Sequence, residues 1–231
     1  MHYKKWKPFY DKIKKDLQLN FEKDKDAAEF LNSLLDEKHL LSIKEIKKII
    51  ENKEVFIFGA GPSLEETIRK HKEKIDKGIK IVADGATSAL LKNSIRPDII
   101  VTDLDGFIDD QLKANLEGSI VLIHAHGNNL KSLKKHLKNF KGKILGTTQT
   151  NPSYFKNLYN FGGFTDGDRA IFLADHFNAK KIFLAGFDFN RKIGKYSFPE
   201  NKDLNIKLKK LKWCKKLIQE ITKKNANIEF L

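Results

Sequence analysis

An open α/β fold, with a mainly parallel sheet flanked by helices, is the class this sequence predicts. Three observations point there. Short apolar runs rich in β-branched residues recur from Glu54 onward, most of them are spaced widely enough to hold a helix, and the polar, glycine-containing motifs fall where the runs end. Continuous apolar runs suit strands buried on both faces, as in a parallel sheet. Their alternation with helices calls for right-handed crossovers. In such sheets ligands bind beyond the carboxyl ends of the strands.

Taken in chain order, residues 1–53 predict a small helical appendage and residues 54–231 an α/β catalytic domain. "FYDKIKKDL" and "AAEFLNSLL" place apolar residues three and four apart, the helical period. Ser42 and Glu45 form a capping box ahead of "IKKII". Strands are expected at "VFIF" (55–58), "IKIVA" (79–83), "DIIVT" (98–102), "IVLIH" (120–124), "KILGT" (143–147) and "KIFLAG" (181–186). From Asp203 to Lys224 a helix is expected, with Leu204, Leu208, Leu211, Ile218 and Ile221 on one face and lysines solvating the rest. "NIEFL" offers a last edge strand.

Composition narrows the classes. A chain of 231 residues with 40% apolar content can bury one main core. Cys214 is the only cysteine, so no internal disulfide forms. No apolar run approaches the roughly 18 residues of a membrane span, and "MHYKKWKPFYDK" lacks a secretory apolar stretch. A cytoplasmic protein with no membrane partner is expected. The net charge of +14 invites nucleic acid. Only four of the 44 basic residues are arginine, however, and arginine is favoured for bidentate phosphate and base contacts. The scarcity of arginine argues against a nucleic-acid partner.

The chemistry-bearing residues sit at the strand ends. "GAGPSL" brings Gly59, Gly61, Pro62 and Ser63 after the first run, either as a phosphate-approaching turn with Ser63 as helix N-cap or as a plain tight turn. Asp84 and Gly85 follow the second run, where the carboxylate faces the crevice or caps the next helix. Asp103 and Asp105 follow the third, both to one side if the segment is extended. Adjacent carboxylates repel unless a proton or cation compensates them, and Mg²⁺ takes one or two carboxylates with phosphate oxygens and waters. "HAHGNN" supplies His124 and His126, open to metal, phosphate or proton transfer. "NFGGFTDGDRAIFLA" opens a helix with Asp166, Asp168 and Arg169, and "AGFDFNRKIGKYS" adds Asp188, Arg191, Lys192 and Lys195 near anionic phosphates.

Read in order, "GAGPS", "ADGATSALLKNSIRPDIIVTDLDG", "HAHG", "QTNP", "NFGGFTDGDRA" and "LAGFDFNRKIGKYS" resemble the archaeal 6-hydroxymethyl-7,8-dihydropterin pyrophosphokinase family over most of residues 54–200. A more distant similarity joins Asp84-Gly85, Pro97-Asp98, Asp103-Leu104-Asp105 and Thr165-Asp166 to the thiamine pyrophosphokinases, with Thr102 and Gly106 departing from that pattern. The resemblance implies a thiamine-pyrophosphokinase-like sheet, ATP and a reduced pterin as substrates, Mg²⁺ as cofactor, and AMP as product in methanopterin- or folate-type pterin synthesis. It implies metal ligation by Asp84, Asp103 and Asp105, catalytic roles for Asp103, Asp105, Asp168 and His126, and Asp166 with Asp168 completing the metal or orienting the hydroxyl. Substrate and nucleotide contacts would come from Gly59, Gly61, Pro62, Ser63, Asp84, Gly85, His124, Gln149, Thr150, Phe164, Thr165, Asp166, Arg169 and Lys195, with Phe161 and Phe164 available to stack on the pterin. A homodimer stands as an open expectation.

Three other readings compete. "VTDLDG" resembles the first motif of haloacid dehalogenase-type phosphatases, where Asp103 would be a nucleophile and Asp105 a general acid. Metal-dependent glycosyltransferases also use D-x-D. A basic nucleic-acid-binding module would explain the charge and leave the carboxylates without a role.

Overall fold

The computed structural model describes residues 2–35, 40–190, 192–197 and 203–231. Among these residues the helices are α1 (Tyr3–Leu17), α2 (Phe21–Leu34), α3 (Ile43–Ile50), α4 (Leu64–Lys70), α5 (Lys72–Lys77), α6 (Ala86–Lys92), α7 (Ile108–Leu116), α8 (Leu130–His136), α9 (Asp166–His176) and α10 (Leu204–Thr222). The strands are β1 (Glu54–Phe58), β2 (Ile79–Ala83), β3 (Ile99–Thr102), β4 (Ile120–Ala125), β5 (Ile144–Thr148), β6 (Leu158–Tyr159), β7 (Lys181–Ala185) and β8 (Ile228–Phe230). All pair in parallel, in the order β6-β5-β4-β3-β2-β1-β7-β8. The six apolar runs are strands, as the sequence predicts, and "NIEFL" supplies the edge strand β8. The two-residue β6 on the other edge carries too short a pattern to be read.

The register explains the layers. Val55 and Ile57 face one core while Phe56 and Phe58 face the other, because successive side chains on a strand point to opposite faces. Helices α1, α3, α9 and α10 cover the first face. Helices α2 and α4 to α8 cover the second. The N-terminal helices therefore divide between the two cores: Trp6, Tyr10 and Ile13 of α1 lie in one, and Ala27, Ala28 and Leu31 of α2 in the other. Each such buried large side chain contributes about 1.5–3 kcal/mol relative to exposure. The Ser42 capping box is present, with Glu45 N bonded to Ser42 Oγ at 3.3 Å and Ser42 N bonded back to Glu45 Oε2 at 3.0 Å.

One expectation about α10 changes. Its core-facing residues are Trp213, Cys214, Leu217, Ile218 and Ile221, whereas Leu204 stays 55% exposed and Leu208 and Leu211 are only half-buried. The C-terminal half of the helix packs on the sheet; the N-terminal half continues past it, over the strand ends.

Sheet order sets where a ligand can enter. From β1 the chain winds outward through β2, β3, β4, β5 and β6, then returns to place β7 on the other side of β1. The strand order reverses between β1 and β7, and a crevice opens beyond the carboxyl ends at such a reversal. Among the described residues no helix is long and apolar enough to cross a membrane.

Candidate active site

A cleft of about 750 Å³ runs across the carboxyl ends of the strands. Gly59, Gly61, Asp84, Gly85, Asp103, Asp105, His126, Gln149, Phe164, Thr165, Asp166 and Arg169 line it, so two thirds of the residues singled out in the sequence converge there. Pro62, Ser63, His124, Thr150, Asp168 and Lys195 do not.

The acids form its centre. Single carboxylate oxygens of Asp84, Asp103 and Asp166 lie within 4.8 Å of one another. Asp105 lies farther out than the buried Asp103, yet its carboxyl reaches the cleft and is hydrogen-bonded to Asp84. Leu104 between them adopts φ +63° and buries its side chain in the core, which aims Asp103 into the cleft floor and leaves Asp105 exposed at the rim. Asp166, brought in by α9, takes the third corner.

Each acid has a distinct environment. Asp84 Oδ1 accepts from Thr102 Oγ1 at 2.6 Å and from Gln111 Nε2 at 2.7 Å. It therefore does not cap α6, whose N-cap position is Gly85. Burial, then the charges of Asp105 and Asp103, push the Asp84 carboxyl up to about 8. Asp166 pairs with Arg169 Nη1 at 2.9 Å, yet burial and the neighbouring Asp103 raise it well above the carboxylate range. Burial alone would raise Asp103 as well. The hydrogen bond and charge of His126, followed by Lys210 and Arg169, outweigh that and hold it below its ordinary value.

His126 is the orienting group. Its Nε2 lies 2.9 Å from Asp103 Oδ2, and its Nδ1 lies 3.3 Å from Asn128 N. Asn129 locks the loop by donating to Asp103 O at 2.8 Å and His124 O at 2.7 Å. His124 serves a different place. Its Nδ1 lies 3.0 Å from Thr147 Oγ1 beside a small cavity behind Arg169, and burial followed by the Arg169 charge keeps its pKa well below the ordinary value.

Several anticipated roles move. Asp168 is fully buried and completes the capping box of α9, accepting from Thr165 Oγ1 at 2.8 Å and from the Phe164 backbone N–H. It is spent on the fold because N3 of a helix is where a carboxylate reaches the orphan N-cap donors. The glycine turn is likewise engaged within the protein. Gly59 N and Gly61 N donate to Ala185 O and Gly186 O at 2.8 and 2.9 Å, and Ser63 N and Oγ donate to Asp188 Oδ2 at 3.0 and 2.9 Å. Gly61 is required there, since a Cβ would sit 2.5 Å from Gly186 O. Ser63 holds the N-cap position of α4 without a side-chain cap bond. Thr150 is buried against Thr148 Oγ1 at 2.9 Å. Lys195 pairs with Glu65 at 2.8 Å on the surface. Phe161 belongs to the core, stacked on Tyr159 and packed on Phe177. Arg191 lies outside the described residues.

Sequence reading missed the α1–α2 corner and the α10 stripe; the β7 loop was anticipated, and its Asp188 and Lys192 line the cleft. The α1–α2 corner contributes Leu17 to Asn20, Lys23 and Asp24. Asp24 ties it to the β4 loop, accepting from Gly127 N at 2.7 Å and from the Tyr10 hydroxyl. The opposite wall brings Phe187 and Phe189 after β7 and a stripe of α10: Asp203, Ile206, Lys207, Lys210, Leu211 and Cys214. That stripe has helical spacing, so a second face on α10 was detectable in the pattern, though nothing local says what it faces.

An open parallel sheet covered on both sides, with acids gathered over its crevice, defines an enzyme of the doubly wound α/β class. The chain belongs to the 6-hydroxymethylpterin diphosphokinase MptE-like family, whose profile matches residues 29–194. It is 44% identical to a 6-hydroxymethyl-7,8-dihydropterin pyrophosphokinase of Methanocaldococcus jannaschii, with all of both chains covered. Proteins of the same name from Pyrococcus furiosus and Methanothermobacter thermautotrophicus are 46% and 40% identical, covering 95% and 92% of this chain and 94% and 92% of their own. Among solved structures, the MAf glycosyltransferase from Magnetospirillum magneticum AMB-1 aligns with 62% of this chain and 26% of its own at 18% identity and a TM-score of 0.43, a likeness too distant to bear on function.

Proposed function

We propose that this chain transfers the terminal pyrophosphoryl group of ATP to the hydroxymethyl oxygen of 6-hydroxymethyl-7,8-dihydropterin, with Mg²⁺ as cofactor, in archaeal pterin synthesis of the methanopterin or folate type. The names of the relatives support the reaction and its acceptor. The convergence of Asp84, Asp103 and Asp166 in the cleft is the observation that carries the site assignment.

The donor set fits a hard cation. All three ligand atoms are carboxylate oxygens, and Asp103 Oδ1 is buried without a hydrogen-bond partner. Burial and mutual repulsion raise Asp84 and Asp166, a cost that a divalent cation would relieve. Asp84, Asp103 and Asp166 would hold Mg²⁺, with Asp105 at the rim. Bound there, Mg²⁺ would supply neutralisation of polyphosphate charge.

The chain's own residues position the rest. His126 fixes the Asp103 carboxylate, and Asp166 holds the Arg169 guanidinium against the cleft. The acceptor oxygen forms its bond to the β-phosphorus while the bond from that phosphorus to the α,β-bridging oxygen breaks. AMP leaves with the bridging oxygen, and the hydroxyl proton passes to a cleft carboxylate or to water. Such transfers depend on alignment and charge neutralisation more than on covalent chemistry. Gln149 and Asn128 on the cleft wall offer hydrogen-bonding groups suited to the edge of a neutral ring, and Phe164 an apolar face.

Incubation with ATP, Mg²⁺ and the pterin, followed by chromatography of the nucleotides, tests this reading. AMP with a diphosphorylated pterin is expected. Stoichiometric ADP, or inorganic phosphate from a phosphatase reaction, would overturn it.

A further inference from the structure

The cleft has two unlike ends. Strand order puts the β4 and β5 loops, with His126, Asn128, Gln149 and the α1–α2 corner, on one side of the acids. It puts the β1 turn, the β7 loop and α10 on the other. Under the ATP-dependent reading above, four negative charges of a nucleotide must be met by cations beyond the metal.

Several of the groups expected for that task are already engaged. Arg169 is paired with Asp166 at 2.9 Å, Lys195 with Glu65 at 2.8 Å, and the N–H groups of Gly59, Gly61 and Ser63 donate within the protein. Lys207 bonds the Ser197 carbonyl. Lys210 differs from these. It is half-buried on the cleft-facing stripe of α10, between Lys207 and Leu211, and no carboxylate of the described residues forms an ion pair with it. Its charge nevertheless reaches Asp103 strongly enough to help hold that carboxyl low. A half-buried ammonium that lines the cleft and whose charge bears on the acid cluster, with no ion-pair partner among the described residues, is arranged for an anion that arrives with the ligand.

We propose that Lys210 is a catalytic residue of this site, contacting the polyphosphate of the nucleotide on the β7–α10 side of the acids. The apolar neighbours on that wall, Phe187, Phe189 and Ile206, flank the nucleoside end, and the α1–α2 corner is left to the acceptor. This rests on the proposed use of ATP. It gives the first half of α10 a ligand-binding role in place of a purely solvated face, and it restricts that role to the cleft-facing lysines: Lys209 and Lys212 are exposed on the far side.

Binding and turnover separate this role from a structural one. Wild type, Lys210→Ala, Lys210→Arg and Lys209→Ala are titrated calorimetrically with Mg²⁺ alone and with Mg²⁺ and α,β-methylene-ATP, whose bridge resists cleavage at the reacting position. Loss of a charge-assisted contact predicts nucleotide binding weakened roughly tenfold or more in Lys210→Ala. Lys210→Arg should retain most of the binding, and Lys209→Ala should match wild type. Mg²⁺ alone should bind Lys210→Ala as tightly as wild type or more tightly, because a nearby positive charge is gone; a merely disrupted site would lose both ligands. Nucleotide affinity and kcat/KM for ATP within about threefold of wild type in Lys210→Ala, a margin well below one charge-assisted contact, would overturn the assignment. A wild-type protein that binds Mg²⁺ but no nucleotide would remove the ATP reading itself, and this assignment with it.

Discussion

Replacing Asp84 by asparagine should stabilise the metal-free protein at alkaline pH and at the same time remove most of its response to Mg²⁺. Asp84 ionises near 3.8 as a free side chain and is pushed up to about 8 in the fold by burial and by Asp105 and Asp103. Between those values the folded state keeps a proton that the unfolded chain releases, so stability falls as pH rises through that window. At about 1.36 kcal/mol per unit, the shift is worth on the order of 5 kcal/mol once the group is fully ionised. Asp166, also raised, acts in the same direction, and Asp103, held low, acts in the opposite one. An asparagine carries no charge to bury, and its oxygen can still accept from Thr102 Oγ1 and Gln111 Nε2, which bond Asp84 at 2.6 and 2.7 Å. Denaturant unfolding of both proteins in chelator should therefore show similar stability near pH 3 and a variant more stable by several kcal/mol near pH 9. Millimolar Mg²⁺ should recover the wild type at the higher pH by mass action and leave the variant nearly unmoved. Parallel pH profiles for the two proteins, or equal stabilisation of both by Mg²⁺, would refute the acid-cluster reasoning.

Three further outcomes are expected. Asp103→Asn should fold normally and lose roughly 10³-fold in turnover at saturating Mg²⁺, about 4 kcal/mol of transition-state stabilisation, measured by steady-state kinetics beside a thermal melt. Gly127→Ala places a Cβ 2.6 Å from Lys23 Cβ and 3.2 Å from Asp24 N, so it should push the α1–α2 corner off the β4 loop and raise KM for the pterin more than KM for ATP. Reversing Lys209, Lys212 and Lys216 to glutamate should leave turnover nearly unchanged, since all three are exposed; tight nucleic-acid binding in about 0.15 M salt, abolished by those changes, would favour a nucleic-acid role instead.

Local pattern made much of this fold legible. The six apolar runs, the Ser42–Glu45 box and the helical period of α1, α2 and α9 each depend on contacts among near neighbours in the chain, so the sequence carries them openly. The placement of motifs at strand ends also survived folding, because a parallel sheet aligns every carboxyl end along one edge. Thus Asp84, Asp103, His126 and Asp166, read singly, arrive in one cleft.

By itself the sequence determined an open α/β layer, a crevice along its strand ends and the residue types that crowd there, since each follows from spacing within one segment. Only the tertiary structure decided which of those residues meet. Strand order, absent from any local period, set β7 beside β1 and so brought the Gly186–Asp188 loop onto the Gly59–Ser63 turn, using up the N–H groups that a phosphate reading had reserved. The left-handed turn at Leu104 buried Asp103 and left Asp105 exposed beside Asp84, and α9 supplied Asp166 to the third corner while spending Asp168 on its own cap. The α1–α2 corner and the first half of α10 became walls of the cleft because helices with two partly apolar faces can cover both a sheet and what lies beyond its edge. Their period states that a face exists; only packing states what that face meets.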